Sequence, residues 1–153
     1  MKLRIIWIGR TKDPNLAELS QQFTSRIRRF LPVEITELKD SKSGGDQRRI
    51  HVEGQQILEA LQSADRVIVL DPGGTLWTSS QLAAFIGRHL DSEPRRLTFV
   101  VGGRGGISEA VKKRADRLWS LSPLTFTHEM TRVILLEQIY RALAALRGLP
   151  YAK

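Results

Sequence analysis

The chain reads as an α/β domain, a mostly parallel sheet with helices on both faces. Two observations predict it. Short runs rich in β-branched residues alternate with longer segments of helical period, the order that builds parallel sheets. Two of those runs, 66–71 "RVIVLD" and 96–102 "RLTFVVG", are almost continuously apolar, as strands covered on both faces are. The length of 153 residues fits one domain, 1–153, with a real core.

The elements follow in order. Residues 3–9, "LRIIWIG", form the first strand, and a helix pattern covers 15–30. Residues 33–38, "VEITEL", alternate inward and outward as a second strand. The polar loop 40–46, "DSKSGGD", leads to a helix over 47–64 and is not a domain boundary. The third strand, 66–71, enters the turn "DPGG" and then a helix over 79–90, capped by Ser79 or Ser80. The fourth, 96–102, leads through "GGRGG" to a helix over 107–116, capped by Ser108 with Glu109 in its first turn. Residues 118–122, "LWSLS", are a fifth strand. The last helix, 129–147, ends at Gly148 followed by Pro150.

That last helix carries Val133, Ile134, Leu135, Leu136, Ile139, Tyr140, Leu143 and Leu146, a stripe wider than one sheet face covers. Either it sits centrally in the monomer or its second face meets another subunit. A twofold homodimer is the expectation, because Arg132, Glu137 and Arg141 must also be placed.

Composition narrows the function. Without cysteine there is no disulfide, thiol nucleophile or cysteine-bound metal, and no metal is expected. The apolar start ends at Ile8, too short for a signal-peptide core, and no later stretch reaches membrane-span length. A soluble cytoplasmic protein with no membrane partner is expected. The net charge is +8, gathered in small clusters: Arg26, Arg28 and Arg29; Arg48 and Arg49; Arg95 and Arg96; Lys112, Lys113 and Arg114. A basic surface favours a polyanion, and nucleic acid is the commonest in a cytoplasm.

The stretch 100–110, "VVGGRGGISEA", puts four glycines at a strand-to-helix turn. It is not a P-loop, because no Gly-Lys follows. The dinucleotide fingerprint begins at Gly103 and Gly105 but meets Ser108 at its third position. A nicotinamide-dependent oxidoreductase rests on that imperfect motif alone. A tight turn accounts for one or two glycines; four suggest a ligand against bare amides. With the "DPGG" turn and "SLSPLTFTHEM" (120–130), it forms one pocket at strand carboxyl ends. The third segment lacks lysine and arginine, which points to a flat, mostly uncharged ligand rather than a triphosphate.

The combination "LDPGG", "FVVGGRGG", "WSLSPLTFTHEMTRVILLEQIYRA" and C-terminal "PYAK" resembles the SPOUT-superfamily methyltransferases of the large-subunit pseudouridine N3 type, across essentially the whole chain. The resemblance implies S-adenosylmethionine as cofactor. It implies methylation of N3 of a pseudouridine in 23S ribosomal RNA within the assembled ribosome, a homodimer, and a C-terminal trefoil knot. Carried over, Leu70 and the turn after it line the cofactor pocket, and Gly102 and Gly103 bring amides against it. Ser120, Leu121, Ser122, Pro123, Leu124, Thr125, Phe126 and Thr127 wrap the adenine and the methionine end. On this reading Gly103→Val abolishes cofactor binding and leaves the fold largely intact.

Methyl transfer from a sulfonium is chiefly a matter of alignment, but a ring N–H nucleophile must also lose its proton. His128, beside the cofactor segment, is the candidate base or hydrogen-bond partner. Arg132, one turn on, is a candidate for a phosphate or for the charge of the deprotonated base, and otherwise pairs with Glu129 or Glu137. His51 and His89 lie in polar helix patterns and read as surface residues. Tyr151 can stack on a base and Lys153 can meet a phosphate. The family commonly has histidine where this chain has Ala152, which leaves open a non-catalytic ribosome-associated factor.

Overall fold

The computed structural model describes residues 3–42 and 44–151. Ala152, where the family commonly has histidine, and Lys153, expected to meet a phosphate, lie outside them. Ten elements alternate: β1 (Leu3–Ile8), α1 (Pro14–Arg28), β2 (Val33–Leu38), α2 (Asp46–Ala60), β3 (Arg66–Leu76), α3 (Ser79–Ser92), β4 (Leu97–Val101), α4 (Glu109–Arg114), β5 (Arg117–Ser120) and α5 (His128–Leu146).

Hydrophobic pattern sets each strand's place. β4, buried along its length, lies at the centre of the order β2-β1-β4-β3-β5. Alternating β2 lies at one edge. The paired strands run parallel throughout the described residues. The two-residue period then divides the core. Ile5, Trp7, Ile68, Leu70, Phe99 and Val101 face α1, α3 and α5, whereas Ile6, Ile8, Val67, Val69 and Val100 face α2 and α4.

Three expectations change. The "DPGG" turn does not end β3. Leu70 and Thr75 both pair with Trp119, so residues 71–74 loop out and pairing resumes as far as Leu76. Gly74 permits this, since a Cβ there would stand 2.6 Å from the Leu118 carbonyl carbon. Helix α3 is capped by Thr78, not Ser79 or Ser80. The Thr78 hydroxyl accepts from the Gln81 amide, and the Gln81 side chain accepts from the Thr78 amide. His89 is no surface residue: it is 1% exposed, with Nε2 2.8 Å from the Arg95 carbonyl oxygen, and burial lowers its pKa.

Helix α5 sits centrally in the chain. It packs between α1 and α3, with Val133, Leu135, Leu136, Ile139 and Leu143 buried within one chain. Ile134 and Tyr140 of the stripe stay half-buried and Leu146 is exposed, so one chain covers its width only in part. The other caps are as expected: Ser108 accepts from the Val111 amide, and Gly148, at φ +66°, closes α5.

Candidate functional site

A parallel sheet gathers its strand ends and loops on one side, where ligands bind in open α/β folds. Here the ends of β3, β4 and β5 and the start of α5 enclose a cavity of about 460 Å³. That is within the range of small-molecule sites.

Leu70 and Val101 form part of the floor, and Asp71 and Pro72 from the looped-out part of β3 form one side. Gly102, Gly103 and Gly106 supply main chain, and Ile107 closes that wall. Ser120, Leu121, Ser122, Leu124, Thr125, Phe126 and Thr127 line the opposite side, with His128 and Thr131 at the mouth of α5. Of the predicted cofactor segment, only Pro123 is absent from the lining. Val101, Arg104, Ile107, Trp119 and Thr131 were missed. The run of Ile107 directly behind the glycine turn was a readable signal; the others arrive by folding.

The wrap holds itself. The Ser120 hydroxyl donates to the Ser122 carbonyl at 2.9 Å, and the Ser122 hydroxyl accepts from the Leu124 amide at 3.0 Å. Thr127 accepts from the Met130 amide at 3.2 Å and so caps α5. The hydroxyls thus stiffen an irregular segment whose apolar side chains and main chain face the cavity.

The glycines that line the cavity also serve the protein's own packing. The turn closes on itself, with the Gly106 amide donating to the Gly103 carbonyl at 3.1 Å. A Cβ at Gly102 would stand 2.8 Å from Ile107 Cδ1, at Gly103 2.7 Å from Glu53 Oε1, and at Gly105 2.9 Å from Ile50 Cγ1. Gly103→Val would therefore press on buried Glu53, and its effect on the cavity would not leave the fold untouched. Gly106 differs: its φ is +95° and a Cβ there meets nothing within 4 Å.

Glu53 lies under this turn, 2% exposed, with Oε1 unpartnered and Oε2 accepting weakly from the Ser41 amide at 3.3 Å. Burial pushes its carboxyl up to about 7; the Ser41 amide opposes this and Asp40 adds to it.

The proposed catalytic residues part company. His128 opens onto the cavity, 4.0 Å from Glu129 Oε2. Burial and then the Arg132 charge lower its pKa, which favours the neutral imidazole. Arg132 is fully buried and makes no salt bridge to Glu129 or Glu137. It donates to the Thr11 hydroxyl at 2.9 Å and to the Ile8 carbonyl, and its guanidinium lies 4.9 Å from the centre of the Trp7 ring. Glu129 instead accepts from the Lys12 and Asp13 amides at 3.1 and 3.0 Å, fastening the loop after β1 to α5. Tyr151 stands elsewhere, its ring 4.9 Å from that of Tyr140. Twelve residues of helix, about 18 Å, separate Tyr140 from His128.

The site's chemistry suits a mixed ligand. Its lining is mostly apolar, and Asp71 and Arg104 bring one charge of each sign. Among the described residues no group of His, Asp or Glu side chains converges as a metal site would require.

Comparison with known proteins agrees with this architecture. A family model described as "Predicted SPOUT methyltransferase" matches residues 1–152. A Trichlorobacter lovleyi protein named "Ribosomal RNA large subunit methyltransferase H" is 43% identical over 151 residues, 99% of each chain. Proteins of the same name from Geobacter metallireducens and Parabacteroides distasonis are 42% and 39% identical, each match covering 99% of this chain and 98% of the relative. With its strand order, its cavity at the strand ends and this likeness along nearly its whole length, the chain belongs to the SPOUT methyltransferase family.

Proposed function

We propose that the chain is an S-adenosylmethionine-dependent methyltransferase acting on N3 of a pseudouridine in large-subunit ribosomal RNA, in the assembled ribosome. The observation that carries this is His128 at the mouth of an apolar, main-chain-lined cavity. The names of the relatives supply the RNA class.

Leu70, Val101, Ile107, Leu121 and Phe126 suit a flat purine and its sugar, and the wrap's main chain suits the purine edge. Asp71 and Arg104 complement the ammonium and carboxylate of an amino-acid tail. Bound there, the cofactor supplies an electrophilic methyl on sulfur. His128 takes the N3–H proton of a pyrimidine ring entering the mouth. Arg132 acts through His128, as a positioning residue: it joins β1 to α5 and, after burial, its charge favours the neutral imidazole. Tyr151 takes no part in proton transfer. A homodimer in the cytoplasm, with the trefoil threading of the family, belongs to this reading. The half-buried aromatic seam of Phe23, Phe30, Tyr140 and Tyr151 between α1 and α5 supports the dimer.

The test is mass analysis of ribosomal RNA after unmodified ribosomes are incubated with the protein and the methyl donor. One methylated pseudouridine is expected, together with a saturable calorimetric titration by the donor. Donor binding without any methylated nucleoside would reject catalysis, and absence of both would reject the reading.

A further inference from the structure

Helix α2 stands directly behind the glycine turn. Ile50, Glu53 and Gly54 fall at i, i+3 and i+4, on one face of that helix. A Cβ on Gly105 would stand 2.9 Å from Ile50 Cγ1, and one on Gly103 2.7 Å from Glu53 Oε1. One on Gly54 would overlap the Ser108 hydroxyl. Together the three contacts cover 103–108, from the turn that lines the cavity to the cap of α4. Packing alone asks for an apolar side chain between Ile50 and Gly54. The chain puts a carboxyl there, buried, with Oε1 against Gly103 and without a hydrogen-bond partner. A buried polar atom left unpaired is unfavourable, and beside a ligand cavity it points to function rather than packing.

The surroundings of Glu53 decide what that function is. The loop after β2 brings the Ser41 amide, 3.3 Å from Oε2, and the Asp40 carboxyl. Its own helix brings Arg49, whose Nε donates to the Ser41 carbonyl at 3.0 Å. β1 brings apolar Ile8, and the glycine turn brings main chain. Burial raises the Glu53 pKa to about 7, with Asp40 adding and the Ser41 amide and Arg49 opposing. A carboxylate formed in this place must find N–H donors. Its free oxygen faces Gly103, so the amides of the turn are the donors it would recruit. The neutral carboxyl leaves the turn as it stands, closed by the Gly106 amide on the Gly103 carbonyl at 3.1 Å. The charged one draws main chain toward α2 and off the cavity wall.

We infer that Glu53 is a positioning residue for the glycine turn: uncharged, it leaves main chain 102–106 shaped for the methyl donor, and charged, it withdraws it. The inference rests on the methyl-donor reading above. It places a proton-linked control of donor binding on α2, apart from His128 and the proton that His128 takes.

Two measurements on the full chain test it across neutral pH: calorimetric titration with S-adenosylmethionine, and nitrogen–proton correlation spectra without it. The Kd should rise about tenfold one pH unit above the midpoint, because the competent fraction falls to roughly a tenth. S-adenosylhomocysteine, which lacks the sulfonium charge, should show the same dependence. The Ser41, Gly103, Gly105 and Gly106 amides should titrate with that midpoint. In Glu53→Gln, a neutral side chain of the same shape, both dependences should vanish and the affinity should stay at its low-pH value. Asp40→Asn should move the midpoint to lower pH and keep the amplitude. Amides that do not titrate, a titration that survives Glu53→Gln, or an affinity flat with pH would each overturn the assignment. So would an affinity that rises with pH, which would make Glu53 a countercharge for the sulfonium. No donor heat at any pH would reject the methyl-donor reading, while the spectra, recorded without donor, still judge the coupling of Glu53 to the turn.

Discussion

At the scale of single residues, His128 and the glycines carry the sharpest expectations. His128 is held below the ordinary histidine range by burial and by Arg132, with Glu129 and Asp40 opposing. A base must be unprotonated to work, so activity should stay level through neutral pH and fall only as pH drops below the usual value of about 6.5. A pH profile of methyl transfer checks this. His128→Gln should lower the rate on the order of a hundredfold or more and remove that acid limb; a limb that survives in the variant would belong to another group. The glycines separate by what surrounds them. At Gly74 an added Cβ meets Leu118 main chain, which cannot swing aside, whereas at Gly45 it meets nothing within 4 Å. Gly74→Ala should cost about 1–3 kcal/mol in urea unfolding, and Gly45→Ala should change stability far less.

At the scale of elements, the parallel strands and five helices were legible because each announces itself through local chemistry. Leu97 to Val101 is apolar but for Thr98 and becomes the central strand; Val33 to Leu38 alternates and becomes an edge. What escaped was whatever depended on a neighbour. Pro72, Gly73 and Gly74 read as a terminator, yet β3 resumes because Trp119 on β5 can pair twice, before and after the loop. His89 looked solvated, and only the Arg95 carbonyl brought to its ring explains its burial. The wrap 120–127 was legible through resemblance, but the partners of Arg132 were not, since Ile8 and Thr11 are more than a hundred residues away. The start of α3 turns this into a measurement. Two serines follow Thr78, but the capping box is Thr78's. Thr78→Ala should cost about 1 kcal/mol in thermal or urea unfolding, and Ser79→Ala only a few tenths. Equal losses would show that the helix begins a residue later.

At the scale of the whole molecule, the charge of +8 is not distributed as its clusters suggest. Arg95 and Arg96 are committed within the fold, Arg95 to Glu93 at 2.9 Å and Arg96 to Asp65 at 2.9 Å. Lys112 reaches Asp71 at 3.6 Å and Arg114 reaches Asp116 at 3.7 Å. Arg29 and Arg48, by contrast, are exposed, and no salt bridge among the described residues engages them. Counterions condensed on RNA are released only by cations free to replace them, so the first and second clusters should dominate the salt dependence of ribosome binding. With roughly four phosphate contacts, affinity should fall about fifty-fold between 50 and 200 mM salt. Arg29→Gln with Arg48→Gln should flatten that slope by one to two contacts. Arg96→Gln should leave the slope alone and lower stability instead, because it strands the Asp65 carboxylate, which is 1% exposed. A slope that responds to Arg96 and ignores Arg29 and Arg48 would move the RNA-facing surface to where Arg96 meets Asp65.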